Sequence, residues 1–353
     1  MLSAHRIPNL LQILVVILLV GSLGQSTQAE SPAPVKVYIL AGQSNMVGHA
    51  AVSLLEHQIH DEHTREKFAH LHNEGEWVER EDVWIKFGDR KGPLTPGFGA
   101  RGKIGPELQF GHAIGDHHDE QVLLIKTAWG GHSLYQNFRP PSAGLPDDAV
   151  LTRMHEQAVA QAQQRNQPKP TLDDIKARFG LSYRNMLQEV QATLTNLEDH
   201  FPSYQGQGYE IAGFVWFQGF NDMINAEATA EYADNMAHFI RDVRRDLERP
   251  SLPFVIGQLG VGGPDPGDNV VRFKEAQAEA AAMSEFKGDV TLVPTDVLWD
   301  MRADEVFRRG WQENLEEWKT VGSDRPYHYL GSVVFFKRAG QAFADAVLQL
   351  QAH

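Results

Sequence analysis

Five short apolar runs mark the predicted strands of this chain. They are rich in β-branched and aromatic residues and are bounded by turn-forming residues, which is typical of buried strands. The runs lie at residues 35–40, 121–126, 211–217, 253–259 and 290–293. None of them needs an antiparallel partner, so the pattern is compatible with a parallel sheet.

Helical patterns separate these runs. The clearest covers residues 228–247, where apolar positions repeat with the spacing of one helix face. Residues 172–197 and 271–283 also read as helical, and an amphipathic helix ends the chain. Strands that alternate with helices predict a doubly wound α/β domain whose parallel sheet is covered on both faces. In such sheets ligands bind beyond the carboxyl ends of the strands.

Two long stretches interrupt this alternation, at residues 49–103 and 136–169. Both carry many Pro, Gly and His residues, so we predict loops that border the site. The sequence shows no internal repeat and no linker of the usual composition. A single domain over residues 30–353 is therefore predicted.

The first 29 residues have the composition of a secretory signal peptide. Arg6 precedes an apolar run at residues 10–20, and small and polar residues lead to Ala29. The run is too short for a typical membrane span of about 20 residues. We therefore expect a secreted or periplasmic protein with no stable membrane anchor after cleavage. The chain contains no cysteine, which excludes a cysteine nucleophile and thiolate metal ligands.

The charge of the chain limits its partners. Acidic residues outnumber basic ones, giving a formal net charge of −14 over 353 residues, with no basic stripe. This balance disfavours nucleic acid and anionic membrane surfaces as partners. A neutral substrate fits better, and nothing in the sequence indicates the oligomeric state.

The residues after the first predicted strand place a serine on a glycine turn. The segment reads Gly42-Gln43-Ser44-Asn45-Met46. A hydroxyl at this position is exposed at the edge of the sheet and lies near backbone N–H groups that could stabilise an oxyanion. A serine that caps the following helix is the competing interpretation.

Two further strand ends offer hydrogen-bond donors. The second strand is followed by Gly130 and Gly131, whose backbone can approach a ligand closely. The third is followed by Asn221, whose side-chain amide could also donate to an oxyanion. Ordinary turn chemistry would explain either segment alone.

A histidine lies on a loop before the last helix. His328 follows Asp324 by four residues, so a carboxylate is available to orient the imidazole while it takes a serine proton. The sequence thus offers a nucleophile, a base and two kinds of oxyanion donor in four separate segments. Together they indicate a catalytic site more strongly than any one of them does.

These segments resemble the SGNH hydrolase superfamily, and within it the sialate O-acetylesterase and carbohydrate esterase family 6 group. The resemblance rests on the Gly42–Met46 segment, on Trp129-Gly130-Gly131 and on Gly219-Phe220-Asn221-Asp222, and it extends over most of the predicted mature chain. It implies a three-layer α/β/α flavodoxin-like fold with a five-stranded parallel sheet. It also implies acyl transfer through Ser44 without a metal or other cofactor.

Two positions depart from the family pattern. The family usually carries Asp three residues before the histidine, where this chain has Arg325. The ring could therefore be oriented by Asp324, by Asp296 or Asp300, or by a backbone carbonyl. Many relatives carry a polar residue where this chain has Phe220, so substrate contacts are expected to differ.

Histidine and aromatic residues elsewhere in the chain are further candidate ligands. Two histidine groups could suggest a metal, but a solvated polar helix face explains both, and no metal site is predicted. Four aromatic residues near strand ends could stack on sugar rings, although core packing explains at least Trp216. These two sets comprise His57, His60, His63, His112, His117 and His118, and Trp129, Trp216, Phe220 and Trp299. The glycine motifs of α/β-hydrolases and nucleotide-binding proteins are absent at the strand ends.

The sequence thus predicts a secreted serine esterase that removes acetyl groups from carbohydrates. Ser44 is the expected nucleophile, His328 the base and Asp324 its partner. Gln43, Gly130, Gly131 and Asn221 are the expected oxyanion or substrate-binding residues. Two alternatives remain: a secreted carbohydrate-binding protein on a catalytically decayed scaffold, and an esterase for non-carbohydrate esters.

Overall fold

The computed structural model of the chain describes Met1 and residues 32–352. Apart from Met1, the predicted signal peptide at residues 1–29 lies outside the described residues. Pro32–His353 forms one compact unit. Of the described helices, none combines the length and the apolar character needed to cross a membrane.

The strands and helices follow one another closely from Val35 onward. Within residues 32–352 the strands are β1 Val35–Gly42, β2 Ala50–Ala51, β3 His72–Asn73, β4 Glu76–Trp77, β5 Arg80–Phe87, β6 Arg90–Leu94, β7 Lys103–Ile104, β8 Val122–Ala128, β9 Tyr209–Phe217, β10 Phe254–Gln258 and β11 Val290–Pro294. The α-helices are α1 Ser44–Val47, α2 Val52–Gln58, α3 Arg65–Phe68, α4 Glu107–His117, α5 Asp148–Gln164, α6 Leu172–Ala177, α7 Leu181–Thr195, α8 Leu197–His200, α9 Phe220–Met223, α10 Ala226–Ala230, α11 Tyr232–Asp246, α12 Asp268–Ala281, α13 Met301–Arg308, α14 Leu315–Val321 and α15 Val333–Gln351. Short 3-10 helices lie at Ala69–Leu71, Pro141–Ala143, Ser284–Phe286, Asp296–Leu298 and Pro326–Gly331.

A central sheet of seven strands organises the described residues, in the order β11-β10-β9-β1-β8-β5-β6. All neighbouring pairs are parallel except β5 with β6. The predicted α/β fold with a mostly parallel sheet is confirmed, and the five predicted strands correspond to β1, β8, β9, β10 and β11. The predicted number of five is wrong because β5 and β6 extend the sheet at one edge.

Alternate residues of β1 face opposite sides of the sheet, as the period of a strand requires. Tyr38 and Leu40 pack into one hydrophobic cluster, which also contains α4 and α15 residues. Val37 and Ile39 pack into a second cluster with residues of α7, α11 and α12. Helices therefore cover both faces of the sheet, and the predicted three-layer α/β/α arrangement is confirmed.

Two stretches predicted as loops contain regular structure. Residues 49–103 hold β5 and β6, and the pattern failed there because β5 begins with charged residues and buries only Val83, Trp84 and Ile85. β6 lies at the sheet edge, where its Pro93 is tolerated. Residues 136–169 hold α5, a 17-residue helix that buries only Leu151 and Ala162 and so lacks a clear apolar face.

The predicted helix at residues 172–197 is also interrupted. Gly180, with φ of 68°, separates α6 from α7, and α8 follows after Asn196. The left-handed backbone at Gly180 breaks the helix, although the apolar spacing continues through it. The pattern over residues 228–247 corresponds to α10 and α11, and that over 271–283 to α12.

Candidate active site

The candidate site lies at the carboxyl edge of the three central strands. Gly42 at the end of β1 is in register with Ala128 of β8 and with Phe217 of β9. Because parallel strands end at the same edge, the segments that follow all three strands leave the sheet side by side. These segments carry Ser44, the Gly130-Gly131 pair and Asn221.

The turn that carries Ser44 depends on glycine at position 42. Gly42 has φ of 153°, and a Cβ on this residue would lie 2.2 Å from the carbonyl oxygen of Phe217. Any side chain would therefore collide with the neighbouring strand. Gln43 is the N-cap residue and Ser44 is the first residue of α1, so Ser44 does not cap the helix. The competing interpretation of Ser44 as an N-cap is wrong.

Ser44 is only 8% exposed. Within residues 32–352, its hydroxyl makes no hydrogen bond, including none to His328. Catalytic hydrogen bonds are often long in sites without a substrate and shorten in the substrate complex. The hydroxyl is therefore available both to a base and to an incoming ester.

Gln43 fixes the orientation of Asn221. The Gln43 Oε1 atom accepts hydrogen bonds from the backbone N–H groups of Gly219 (3.0 Å) and Asn221 (3.4 Å). Its Nε2 atom donates to Asn221 Oδ1 over 3.1 Å. Since Asn221 Oδ1 faces Gln43, the Asn221 Nδ2 atom is turned away and can donate elsewhere. Gln43 thus holds Asn221 in place, and its predicted role as an oxyanion or substrate-binding residue stays a prediction.

Asp222 ties the third strand end to the second. Its carboxylate accepts hydrogen bonds from the backbone N–H groups of Leu134 (2.9 Å) and Tyr135 (2.8 Å) and from the side chain of Gln218. Complete burial raises the pKa of Asp222 to about 6, although these hydrogen bonds oppose the effect. Asp222 therefore positions the loop after β8 relative to Asn221.

The glycine pair lies next to Ser44. A Cβ built on Gly130 would be 3.8 Å from the Ser44 Cβ, so a side chain at this position would fill the space between the glycine and the serine. Gly131 has φ of 77°, in the left-handed region that favours glycine. Both residues are exposed, so no side chain of the described residues covers this turn completely.

His328, the predicted base, lies on the 3-10 segment Pro326–Gly331. His328 Nδ1 is 3.1 Å from Asp324 Oδ1, which leaves Nε2 as the atom that can accept a proton. Asn45 Nδ2 donates to the carbonyl oxygen of Tyr327 over 3.2 Å. The residue after Ser44 thus holds the residue before His328, which ties the two parts of the site together.

The backbone after His328 is left-handed at three consecutive residues. The φ angles are 50° for Tyr329, 62° for Leu330 and 57° for Gly331. Left-handed backbone at a residue with a side chain costs about 1–2 kcal/mol. The Leu330 carbonyl oxygen accepts from the N–H groups of Ser323 (2.9 Å) and Asp324 (3.1 Å), so the tight turn brings Asp324 to the Nδ1 atom of His328.

Two residues that the sequence analysis missed also contact Asp324. His49 Nδ1 lies 3.2 Å from Asp324 Oδ2, and Lys103 Nζ donates to the same oxygen over 2.6 Å. The His49 and His328 rings stack with centroids 3.8 Å apart. His49 precedes β2 and Lys103 begins β7, and the antiparallel pairing of these two short strands brings both residues to Asp324.

This cluster sets the ionisation of Asp324. Burial opposes its charge, but hydrogen bonds from His328, His49 and Lys103 outweigh burial and hold the pKa of Asp324 well below its usual range. Burial also lowers the pKa of His49, with the Asp324 hydrogen bond partly offsetting it. At neutral pH, Asp324 is therefore an anion beside a neutral His49.

The other two candidate carboxylates are engaged elsewhere. Asp296 accepts from Lys274 Nζ over 2.5 Å. Asp300 caps α13 and accepts a hydrogen bond from Ser332 Oγ. Of the carboxylates that the sequence left open, the structure therefore brings only Asp324 to His328. Arg325, at the position where an Asp was expected from the resemblance, lies over the Trp311 ring.

Among residues 32–352, one group of three side chains has the spacing of metal ligands: His49, Asp324 and His328. A Lys103 ammonium already contacts Asp324 at this group, which supplies the positive charge that a metal would bring. The histidines that the sequence drew attention to do not form such a group in this part of the chain. His118, for example, bonds the Tyr38 hydroxyl over 2.7 Å.

The aromatic candidates differ in accessibility. Trp216 is fully buried and Trp299 is 4% exposed, so neither can stack on a sugar. Phe220 is half-buried and lies 5.7 Å from the Tyr327 ring, centroid to centroid. Tyr327 is 43% exposed. Phe220 and Tyr327 therefore form an accessible aromatic pair beside Asn221 and His328.

Comparison with known proteins identifies relatives. A family model described as carbohydrate esterase, sialic acid-specific acetylesterase, matches residues 34–300. A probable carbohydrate esterase of Arabidopsis thaliana is 36% identical over 56 residues, which is 16% of this chain and 22% of that relative. The chain thus matches less than a quarter of that relative's length in sequence.

Solved structures resemble the chain over longer stretches. The X-ray structure of that Arabidopsis thaliana protein has a TM-score of 0.50 at 17% identity and covers 89% of this chain and 98% of its own. This likeness concerns the fold. A carbohydrate acetylesterase from Xanthomonas citri has a TM-score of 0.41 at 16% identity and covers 73% of this chain and 49% of its own.

Proposed function

The chain belongs to the family of carbohydrate esterases described as sialic acid-specific acetylesterases, and on that premise we propose that it is a secreted serine esterase. Its substrate is an O-acetylated carbohydrate, of the acetylxylan or sialic acid type. The observation that supports the proposal best is the hydrogen bond between Asp324 and His328 in a loop that Asn45 holds to the Ser44 turn.

In the proposed first step, His328 Nε2 takes the hydroxyl proton of Ser44 while Ser44 Oγ attacks the acetyl carbonyl carbon. Asp324 stabilises the resulting imidazolium through Nδ1. The oxyanion accepts hydrogen bonds from the Ser44 N–H, from Asn221 Nδ2 and from the N–H of Gly130 or Gly131. His328 then gives its proton to the sugar oxygen, and the deacetylated sugar leaves.

In the second step, water hydrolyses the acetyl group from Ser44. His328 takes one proton from the water, whose oxygen attacks the acetyl carbon, and gives it to Ser44 Oγ as the bond from Ser44 Oγ to the acetyl carbon breaks. Acetic acid leaves and releases its remaining proton to solvent as acetate forms. The same oxyanion donors serve both steps. In this proposal His328 is the base, Asp324 orients it, and the oxyanion donors stabilise the developing charge, so the two steps use side chains and backbone groups of the protein itself.

Export is the second part of the proposal. It rests on the sequence of residues 1–29, with Arg6, the short apolar run and the small residues before Ala29. Secretion or transfer to a periplasm would bring the protein to extracellular glycans. Fractionation of cells that express the full chain tests this point, because an intracellular protein with an intact N-terminus would contradict it.

The test of the activity is acetate release by the purified protein. Acetylated xylan, O-acetylated sialic acid and an aryl acetate are supplied in parallel, together with the Ser44→Ala variant. We expect release from at least one acetylated carbohydrate and a loss of about 10⁴-fold or more in Ser44→Ala. A Ser203→Ala variant, at an exposed serine, is the matched control.

The outcomes separate the alternatives. Hydrolysis of the aryl acetate alone would favour an esterase for non-carbohydrate esters. Binding of glycans without any acetate release would favour a carbohydrate-binding protein on a decayed scaffold. Full activity in folded Ser44→Ala would contradict the proposed nucleophile.

A further inference from the structure

A polar cleft adjoins the candidate active site on the side of Asn221. Its volume is about 370 Å³, within the range of small-molecule sites, which is about 300–1,000 Å³. The loop after β8, the middle of α5 and the segment from Asn221 to Ala228 form its walls. Gly131 and Asn221 belong both to this cleft and to the candidate oxyanion site. A group in the cleft is therefore next to an ester bound at Ser44.

The cleft is lined by groups that both donate and accept hydrogen bonds. Side-chain amides come from Gln136, Asn137, Gln157 and Asn225. Asn137 accepts from Ser133, and Asn225 caps α10. The side chains of Gln136 and Gln157 make no hydrogen bond within residues 32–352, so both amides are available to a ligand. Sugar hydroxyls donate and accept in the same way as these amides.

Tyr135 also lines this cleft, and its hydroxyl is a buried polar group. The residue is 5% exposed, and its hydroxyl has no hydrogen-bond partner among the described residues. A buried hydroxyl without a partner costs about 1–3 kcal/mol.

The charges of the cleft balance. Arg153 and Glu227 are the ionised side chains of its lining, and they pair over 2.7 Å. Arg153 is therefore already compensated and offers no free cation to a carboxylate. The net charge of −14 over the chain disfavours an anionic ligand further.

We propose that this cleft is a subsite for a neutral sugar residue that is linked to the acetylated sugar at Ser44. The inference rests on the proposed esterase function and narrows its substrate to a neutral oligosaccharide or polysaccharide. The free amides of Gln136 and Gln157 bind the sugar hydroxyls. The paired Arg153 does not select an acidic sugar.

The experiment measures binding to the full chain carrying Ser44→Ala, so that it does not depend on acetate release. Hexasaccharides of xylan, glucan, mannan and galactan serve as neutral probes, and N-acetylneuraminic acid serves as the anionic probe. Calorimetry gives the dissociation constants. We expect at least one neutral hexasaccharide to bind, and the added substitutions Gln136→Ala and Gln157→Ala to weaken it about tenfold or more.

Gln163→Ala is the matched control, because Gln163 is an exposed glutamine of α5 outside the cleft. The inference is overturned if no neutral hexasaccharide binds, or if the double substitution leaves binding unchanged. It is also overturned if only N-acetylneuraminic acid binds and Arg153→Gln abolishes that binding. Aryl acetate hydrolysis by the parent reports on the esterase separately, so a failed esterase and a failed subsite give different results.

Discussion

The nucleophile side and the base side of the candidate site are built in different ways. We define the nucleophile side as Gln43, Ser44, Asn221 and Asp222, and the base side as His49, Lys103, Asp324 and His328. Neutral amides and backbone N–H groups fix the first side at the end of the central strands. An anion surrounded by a lysine and two histidines fixes the second, on a loop with left-handed backbone.

One carboxyl group in each side shows the difference. Burial among neutral donors raises the pKa of Asp222 to about 6, whereas cationic and imidazole donors hold the pKa of Asp324 well below its usual range. The geometry of the nucleophile side therefore depends on packing, and that of the base side depends on charge. Substitutions and pH should affect the two sides differently.

Asp324→Asn should have the largest effect on the base side. The amide can donate to His328 Nδ1 and favour the wrong tautomer of the ring, so we expect kcat to fall about 10³–10⁴-fold. Steady-state kinetics on the preferred acetate ester measures the loss. Asp296→Asn is the control, because Asp296 bonds Lys274 instead of His328. A fall of less than tenfold would show that Asp324 does not orient the base.

Asn221→Ala should have the next largest effect, on the nucleophile side. Loss of one oxyanion donor typically costs about 2.7–4 kcal/mol, so we expect kcat to fall about 100-fold or more. Asn221→Asp is the sharper variant, because it keeps an acceptor for Gln43 but lacks the Nδ2 donor. If Asn221→Asp keeps the parent kcat, Asn221 serves only as an anchor for the loop.

The nucleophile side could largely be predicted from the sequence. The strands β1, β8 and β9 are mainly apolar, with one charged residue each, and the segments after them meet because parallel strands end at one edge. Ser44, Gly130, Gly131 and Asn221 could therefore be grouped from sequence position alone. Their catalytic roles stay predictions until they are measured.

The base side could not be predicted to the same extent. His49 and Lys103 meet only because β2 pairs with β7, in a region without a clear pattern. Asp324 reaches His328 because Tyr329 and Leu330 adopt left-handed backbone, which their residue types disfavour. Tertiary contacts stabilise that conformation, including the Tyr329 hydroxyl, which accepts from the Gly260 N–H over 2.8 Å. No local sequence signal indicates such contacts.

Lys103→Met tests the charge on the base side with a smaller expected effect. Its ammonium donates to Asp324 Oδ2, so its removal should leave the carboxylate freer and less well positioned. We expect kcat to fall about tenfold, the size of one lost charge-assisted hydrogen bond. The acid limb of the rate–pH profile should also move to higher pH, because Lys103 adds to burial in lowering the pKa of His49, and a protonated His49 competes with His328 for Asp324.

Lys319→Met is the matched control for this variant. Lys319 also pairs with a carboxylate, Glu316, but it is 57% exposed and lies on α14. Its loss should leave both kcat and the profile as in the parent. A reduced kcat in Lys103→Met with an unmoved acid limb would mean that Lys103 supports the loop without acting on the charge of Asp324.

Stability against pH gives the smallest expected effect and compares the two carboxyl groups directly. Because the pKa of Asp324 is depressed on folding, its contribution to stability is fully present above the unfolded pKa of 3.8 and is lost as pH falls below that value. The quantity to compare is the free energy of unfolding of the parent minus that of Asp324→Asn. This difference should be about 1 kcal/mol larger at pH 7 than at pH 3.

Asp222→Asn should show the opposite slope. The folded protein binds more protons at Asp222 than the unfolded chain between pH 3.8 and about 6, so this carboxyl group lowers the stability of the parent as pH rises through that window. The free energy of unfolding of the parent minus that of Asp222→Asn should therefore decrease between pH 4 and pH 7. Urea unfolding at the three pH values measures both slopes. If the stability differences for Asp324→Asn and Asp222→Asn change with pH in the same direction, charge does not distinguish the two sides. A lowered pKa at Asp324 and a raised pKa at Asp222 require changes in opposite directions.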